Sequence, residues 1–270
     1  MPSSLFPDGG AFSIDGVHSD TWRMFMKAYD FALIPGIRAS LVSVPGKIGK
    51  RNAGMEIDSR IVRMTLASVQ ANYNRGVTIT ERTAMLDRLH AFAVAIDPRT
   101  GPHKLIFLDD YPAWYINIHA ASETPVTPNL ILGDFQMQFE AADPHFYNNI
   151  PTVAAAATIA NNATRNLVNN GNQPTPAKFT ITAAGTTIAG TVTLTIGGVA
   201  VTYSGGITNI TDTIVIDTDA FTVTKNGVSD IAYWSGDFPL IPSGVINPMT
   251  YSSSGGLSAN VAVSYTERNL

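Results

Sequence analysis

Thr191-Val192-Thr193-Leu194-Thr195-Ile196-Gly197-Gly198-Val199-Ala200-Val201-Thr202-Tyr203 alternates apolar and hydroxyl side chains on both sides of a Gly-Gly pair. A period of two puts every second side chain on one face of a strand. Adjacent glycines tolerate the positive φ of a tight hairpin turn. The stretch therefore reads as two strands, Thr191–Ile196 and Val199–Tyr203, with one face buried. Outward from it, Thr213–Asp217, Phe221–Lys225 and Val228–Tyr233 follow, with Asn226-Gly227 as a second tight turn, and Val245–Tyr251 and Asn260–Thr266 finish the chain. Strands separated by turn signals every ~8–12 residues, with no helical periodicity among them, predict a β-sandwich for residues 151–270.

Charge marks where that unit begins. Residues 1–150 hold 13 Lys/Arg and 15 Asp/Glu, whereas residues 151–270 hold 4 and 6. Both parts carry a net −2, but the second is much the sparser, so a seam near residue 150 divides the chain into domains 1–150 and 151–270. At the seam, Ile150–Thr175 combines an Ala run (Ala154–Ala157) with many asparagines, and reads as an opening strand followed by connecting loops.

The first domain predicts strands and one helix. Ala39–Val44 is β-branched and apolar and ends at Pro45-Gly46, a strand followed by a turn. Ser59–Val69 (SRIVRMTLASV) alternates as a long half-buried strand, and the segment Gly46–Asp58 between the two reads as a polar loop. Thr78-Ile79-Thr80-Glu81 is a capping-box pattern. Met85, Leu89, Phe92 and Ile96 then recur at helical spacing until Asp97-Pro98, placing the helix at about 79–95. Lys104–Leu108 and Trp114–His119 form a hairpin around Asp109-Asp110-Tyr111-Pro112, and Leu130–Ala141 is a further strand. The fold class is mostly β with one α-helix.

Composition narrows function. Hydrophobic residues make up 45%, enough for one or two cores, and charged residues only 14% against about 25% in an ordinary domain. The formal net charge of −4 argues against a phosphate-neutralising surface. There is no cysteine, which excludes disulfides, thiolate metal sites and a cysteine nucleophile. The opening MPSSLFPDGG has no basic segment ahead of an apolar run, so no signal peptide is expected, and the apolar run Ala84–Ile96 is too short to span a bilayer.

Catalytic patterns are thin. His18, His90, His103, His119 and His145 are scattered, with no His-Glu-x-x-His. Asp109-Asp110 and Asp217/Asp219 are the tempting acidic pairs, but turn chemistry and strand ends explain them more simply. No G-x-S-x-G elbow and no phosphate-cradling glycine loop occurs. Lys47, Lys50 and Arg51 form a small basic cluster without interleaved aromatics, weak as a nucleic-acid reader. No catalytic, metal or cofactor site is expected, and the chain reads as a non-enzyme needing no cofactor.

The order of the motifs resembles the distal tail protein (Dit) family of long-tailed, siphovirus-type phages. The similarity begins with Phe12-Ser13-Ile14-Asp15-Gly16-Val17 and Ile34-Pro35-Gly36. It continues through Val44-Pro45-Gly46-Lys47-Ile48-Gly49, the hairpin Leu105–Asp110/Trp114–His119, and Phe139-Glu140-Ala141-Ala142-Asp143-Pro144-His145-Phe146-Tyr147. Asn170-Gly171-Asn172, Thr175-Pro176 and Phe238–Asn247 (FPLIPSGVIN) follow in the family's order. The resemblance implies an N-terminal ring domain of β-sandwich or split-barrel-like form and a C-terminal galectin-like β-sandwich. It implies a homo-hexameric ring joining the major tail tube protein to the hub or tip protein (tail-associated lysin-like). The tape-measure protein and DNA would cross its channel in transit, without membrane insertion. The location implied is the virion tail tip, after synthesis in the host cytoplasm. Pro45–Asp58, with Pro45, Gly46, Lys47, Lys50, Arg51, Glu56 and Asp58, would be the extension that contacts a neighbouring subunit. Residues 151–270 have room for the sandwich alone, without an added arm. The alternative is a carbohydrate-binding tail adhesin using exposed aromatics, for which Tyr203, Tyr233, Trp234 and Tyr251 are candidates. A glycan hydrolase would need two carboxylates ~5–10 Å apart in a cleft, and no pair is placed for that.

Overall fold

Alternating β-branched and aromatic residues become 22 strands and one α-helix in a computed structural model, which describes residues 10–32, 34–43, 50–69, 79–121, 132–185 and 190–270. The chain divides into two units, Met1–Phe146 with Leu270, and Tyr147–Asn269.

The first unit holds β1 (Phe12–Ile14), β2 (Val17–His18), β3 (Met24–Phe31), β4 (Ile37–Ser43), β5 (Lys50–Ile57) and β6 (Arg60–Val69). After these come α1 (Ile79–Ala95), β7 (His103–Phe107), β8 (Trp114–Ala120) and β9 (Leu132–Ala141). The strands run β2-β1-β7-β8-β9-β6-β3. Paired backbone bonds between Gly10 and Met26 (3.0 and 2.9 Å) bring β3 back to the chain just ahead of β1. The order thus closes into a small barrel, which removes the open edges a flat sheet would expose. Gly10 permits the closure, because a Cβ there would lie 3.2 Å from the Met26 carbonyl oxygen. The seam is loosest where β8 turns from β7 to β9, which it pairs only through His119 and Ala120. A split barrel describes it.

Alternation decides what fills the barrel. Val62, Met64 and Leu66 of β6 face inward with Phe135, Met137 and Phe139 of β9 and Ile116 and Ile118 of β8. Fully burying a side chain of this size contributes roughly 1.5–3 kcal/mol. Helix α1 adds Phe92, whose ring sits edge-on to Trp22 (5.2 Å between centroids) and Phe12 (6.3 Å). Met85, Phe92 and Ile96 are buried as the spacing predicts; Thr78, the expected cap, lies outside the described residues.

Two readings of this unit are corrected. Lys50–Ile57 is no loop but strand β5, paired along β4 from Ile37↔Ile57 to Ser43↔Lys50. Its Asn52-Ala53-Gly54 reads as a turn in isolation, and pairing with β4 satisfies its backbone instead. Strand β3 was not expected at all; a register shift between Met26 and Ala28 interrupts its alternation.

The second unit follows β10 (Phe146–Asn148), which straddles the division. It contains β11 (Thr152–Ile159), β12 (Thr164–Asn169), β13 (Ala177–Ala183), β14 (Val192–Ile196), β15 (Val199–Tyr203) and β16 (Thr213–Asp217). The remainder are β17 (Thr222–Lys225), β18 (Val228–Ser229), β19 (Trp234–Ser235), β20 (Gly244–Ser253), β21 (Ala259–Tyr265) and β22 (Arg268–Asn269). Two antiparallel sheets, β11-β21-β13-β16-β17-β18 and β12-β20-β14-β15-β19, enclose a core that includes Phe179, Ile181, Leu194, Tyr203, Ile214, Tyr251 and Val261. The β14–β15 hairpin has the expected register, Ile196↔Val199 across Gly197-Gly198. Ile150–Thr175 supplies two strands, β11 and β12, where one was expected. Val228–Tyr233 is not one strand: β18 stops at Ser229, and Ile231–Tyr233 forms a 3-10 turn before β19.

Candidate assembly surface

The segment singled out for subunit contact forms a β-ribbon. Among the described residues, β4 and β5 pair as strands only with each other, so the ribbon has two outer edges that join no further strand. At the base, the Asp58 amide donates to the Gly36 carbonyl (2.6 Å), and Arg38 Nη2 meets Asp58 Oδ2 at 3.2 Å. Ile37 and Ile57 face each other across the ribbon, 58% and 45% exposed, and nearby Ile34 is 64% exposed. Of the candidates, Lys50 pairs with Ser43, Arg51 with Val42 and Glu56 with Arg38 in the backbone register. Asp58 anchors the base. Pro45, Gly46 and Lys47 lie outside the described residues. A two-stranded ribbon is marginal by itself in water, and the exposed isoleucines at its base are left largely in solvent.

Most of the other polar candidates are tied into structural bonds. His103 is buried. Its Nδ1 lies 2.7 Å from Asp15 Oδ2 and its Nε2 3.0 Å from the Asp97 carbonyl oxygen. Thr100 Oγ1 spends its proton on that same carbonyl, so both ring nitrogens face acceptors and the imidazolium form satisfies both. Burial opposes the charge, but the Asp15 and Asp97 contacts outweigh it and raise the pKa of His103. Asp15 holds a left-handed φ of 51° and also accepts the Lys104 amide (2.8 Å), so the clasp fixes the turn after β1. Asp109 accepts the Ala11 amide while Asp110 accepts the Tyr29 hydroxyl, so this acidic pair is split between different partners. His18 caps a 3-10 turn through the Asp20 amide, and His145 pairs with Asp143. His90 is exposed on α1 and His119 half-buried on β8. Asp217 accepts the amides of Asp219 and Ala220 as turn chemistry requires. Among the described residues, no group of three or more His, Asp or Glu could hold a metal ion.

Arg60 is a residue the sequence reading passed over. It occupies an inward position of β6 at 1% exposure, with its guanidinium carbon 4.9 Å from the Phe146 ring centroid and 5.5 Å from that of Phe31. Nε and Nη2 find no hydrogen-bond partner among the described residues, and burial lowers its pKa.

In the second unit the Asn170-Gly171-Asn172 motif forms a polar corner. Asn169 is fully buried, and its Nδ2 reaches the carbonyls of Gln173 (2.9 Å), Pro242 (3.1 Å) and Ile241 (3.2 Å). Glu267, also buried, accepts the Asn170 amide (3.1 Å) and side chain (2.9 Å) on one oxygen. Thr175 Oγ1 donates to the Thr266 carbonyl. Gly171 has no substitute here, since a Cβ would sit 2.4 Å from the Arg268 carbonyl oxygen. Of the aromatic candidates, Tyr203 and Tyr251 are fully buried and cannot serve as platforms, whereas Tyr233 is exposed and Trp234 half-buried.

The corner lies within the stretch that a protein family recognises. Residues 170–268 match the siphovirus-type tail component, C-terminal domain. No curated protein matches the chain by sequence. Among solved structures, the Dit protein of phage SPP1, described as a paradigm of hub adsorption apparatus in Gram-positive infecting phages, superposes with a TM-score of 0.72. It shares 12% identity, over 97% of this chain and 99% of that one. A chain of the phage p2 baseplate in its activated conformation with Sr gives a TM-score of 0.50 at 13% identity, over 94% and 97%. The fold is thus that of a β-rich structural component of a phage tail. More particularly, the second unit carries the siphovirus-type tail component domain, and the whole chain has the fold of a distal tail protein, as the motif order implied. The matching family and structures are those of phage tail proteins. Among the described residues no helix is long and apolar enough to cross a membrane.

Proposed function

We propose that the chain is a non-enzymatic subunit of a ring at the distal end of the tail. Six copies would join the tail tube protein to the hub or tip protein, around a channel for the tape-measure protein and DNA. The observation that carries this reading is the β4–β5 ribbon, whose strands join no further strand among the described residues, with its exposed Ile37, Ile57 and Ile34. An extension that cannot bury its own apolar groups gains stability by adding its edge to another chain. Because the ribbon and the surface receiving it are different parts of one protomer, the contact is heterologous, and such contacts close into rings when the rotation permits. Pro45, Gly46, Lys47, Lys50, Arg51, Glu56 and Asp58 are the interface residues on this reading. A net charge of −4 suits a lumen that passes DNA without holding it.

Deletion of Gly46–Ile57 tests the proposal. Light scattering of the intact protein should give a hexamer of about 173 kDa, six times 28.8 kDa. The deleted chain should be a folded monomer that still unfolds cooperatively, its far-ultraviolet circular dichroism changed only by the strand content of the lost ribbon. Hexamers that survive the deletion would sink the ribbon's role, and a strictly monomeric intact chain at high concentration would sink the ring.

A further inference from the structure

Helix α1 carries apolar side chains on two sides. It buries Met85, Phe92 and Ile96 against the barrel, yet Ile79 (88%), Leu86 (48%) and Val94 (61%) are exposed. Spacings of seven and eight residues hold these three within an arc of about 80° on the side opposite Phe92. Thr83 and His90 share the arc, and Thr83 turns its hydroxyl back onto the Ile79 carbonyl (3.1 Å). A surface helix ordinarily keeps its outer face polar, and one with apolar residues on both sides is covered on both.

The first unit shows one other patch of this kind. Among its described residues, eight large apolar side chains are exposed: three on α1, three at the ribbon base (Ile34, Ile37, Ile57), and Val17 and Tyr111 singly. Both patches are exposed in the same protomer, so neither covers the other within one chain, and a contact between them joins two copies. Residues 37–58 hold four Lys/Arg and two Asp/Glu, a net +2, whereas residues 79–97 hold two and three, a net −1. Opposite signs favour ribbon on helix over ribbon on ribbon or helix on helix. The negative balance of the helix also disfavours a phosphate-bearing nucleic acid or an anionic membrane as its cover. Ile79 to Val94 spans about 22 Å along the helix, and the seven residues of β4 span about 23 Å. The ribbon therefore has the length to lie along the stripe.

We propose that the outward face of α1, with Ile79, Leu86 and Val94, receives the β4–β5 ribbon of a neighbouring copy. This rests on the ring reading above and names the receiving surface that it leaves open. Docking removes both aliphatic patches from water at once. The chain has no cysteine, so a short bismaleimide joins only thiols introduced by design. Ile57→Cys is combined in one chain with Ile79→Cys, Leu86→Cys or Val94→Cys, and light scattering first establishes the assembly state of the parent. At least one of the three double variants should give a covalent ladder reaching six copies on a denaturing gel. Each single variant, and Ile57→Cys with Val17→Cys, should give no ladder. Leu86→Ser with Val94→Ser should weaken self-association about tenfold or more in sedimentation. Its circular dichroism should be unchanged, because both positions are exposed, so lost association would not report misfolding. A hexameric parent with no ladder from any helix pair, a Val17 ladder of equal yield, or equal association by the serine variant overturns the docking and leaves the ring standing. A strictly monomeric parent overturns the ring and the docking with it.

Discussion

The β4–β5 ribbon and the Asn169–Thr175 corner handle the same problem, unpaired backbone polarity, in opposite ways. The corner turns its polar side chains inward, where Asn169, Thr175 and Glu267 are buried and occupied by carbonyls and amides. Among the described residues the ribbon's two strands pair only with each other, and isoleucines are exposed at its base. One region completes its bonding within the chain, and the other offers strand edges and apolar side chains to a partner. The difference separates residues whose loss should unfold the protein from residues whose loss should only stop it assembling.

The comparison can be broken most severely at Gly171. Gly171→Ala forces a methyl group against the Arg268 backbone, which cannot swing aside as a side chain would, and should cost about 3 kcal/mol in urea unfolding. An alanine variant of unchanged stability would mean that the corner is not locked. Glu267→Ala leaves the Asn170 amide and side chain without their acceptor, and should cost about 2 kcal/mol by the same measurement. Arg60 offers a contrast inside the barrel. Breaking it with Arg60→Ala should cost about 3 kcal/mol through the cavity left. Arg60→Met should be neutral or stabilising by about 1 kcal/mol, because a buried guanidinium with two unbonded nitrogens gives up little when an apolar chain fills its place. Ile37→Ser with Ile57→Ser should change unfolding by less than about 0.5 kcal/mol while weakening self-association in sedimentation.

Acidity sharpens the contrast between the two units. In the barrel unit, the raised pKa of His103 gives stability that is complete below the unfolded value of about 6.5 and lost as pH rises through the folded one. In the sandwich, Asp212 is held well below the usual carboxylate range by Asn226, helped by Lys225 and the amides of Asn209 and Thr208. Its contribution is complete above the unfolded value of about 3.9 and fades as pH falls below it. Hydrogen exchange should therefore show the turn at Asp15 loosening on the alkaline side and the loop at Thr208–Asp212 loosening on the acid side. Asp15→Asn should remove the first dependence and leave the second.

The legible parts of the fold were those where a local pattern survives without distant help. Thr191–Tyr203 kept its period of two, and Met85, Phe92 and Ile96 kept their helical spacing. Strand β3 escaped because its alternation slips between Met26 and Ala28. Lys50–Ile57 reads as a loop because Asn52 and Gly54 suit a turn when β4 is not in view. The assembly segment was found by resemblance, whereas its form as a ribbon was not legible. The aromatic candidates divided for a similar reason: Tyr203 and Tyr233 are alike in sequence, but one faces the core and the other solvent.

By itself the sequence determined two β-rich units, one helix, the position of the charge seam and the absence of cysteine chemistry, because composition and periodicity are properties of neighbouring residues. The tertiary structure decided the closure of the barrel through Gly10 and Met26, the burial of Arg60, and the meeting of Asn169 and Gly171 with residues 241–268. It also decided which aromatic rings reached the surface. Each of these depends on groups far apart in the chain, whose contact free energy appears only once the whole backbone has been ordered.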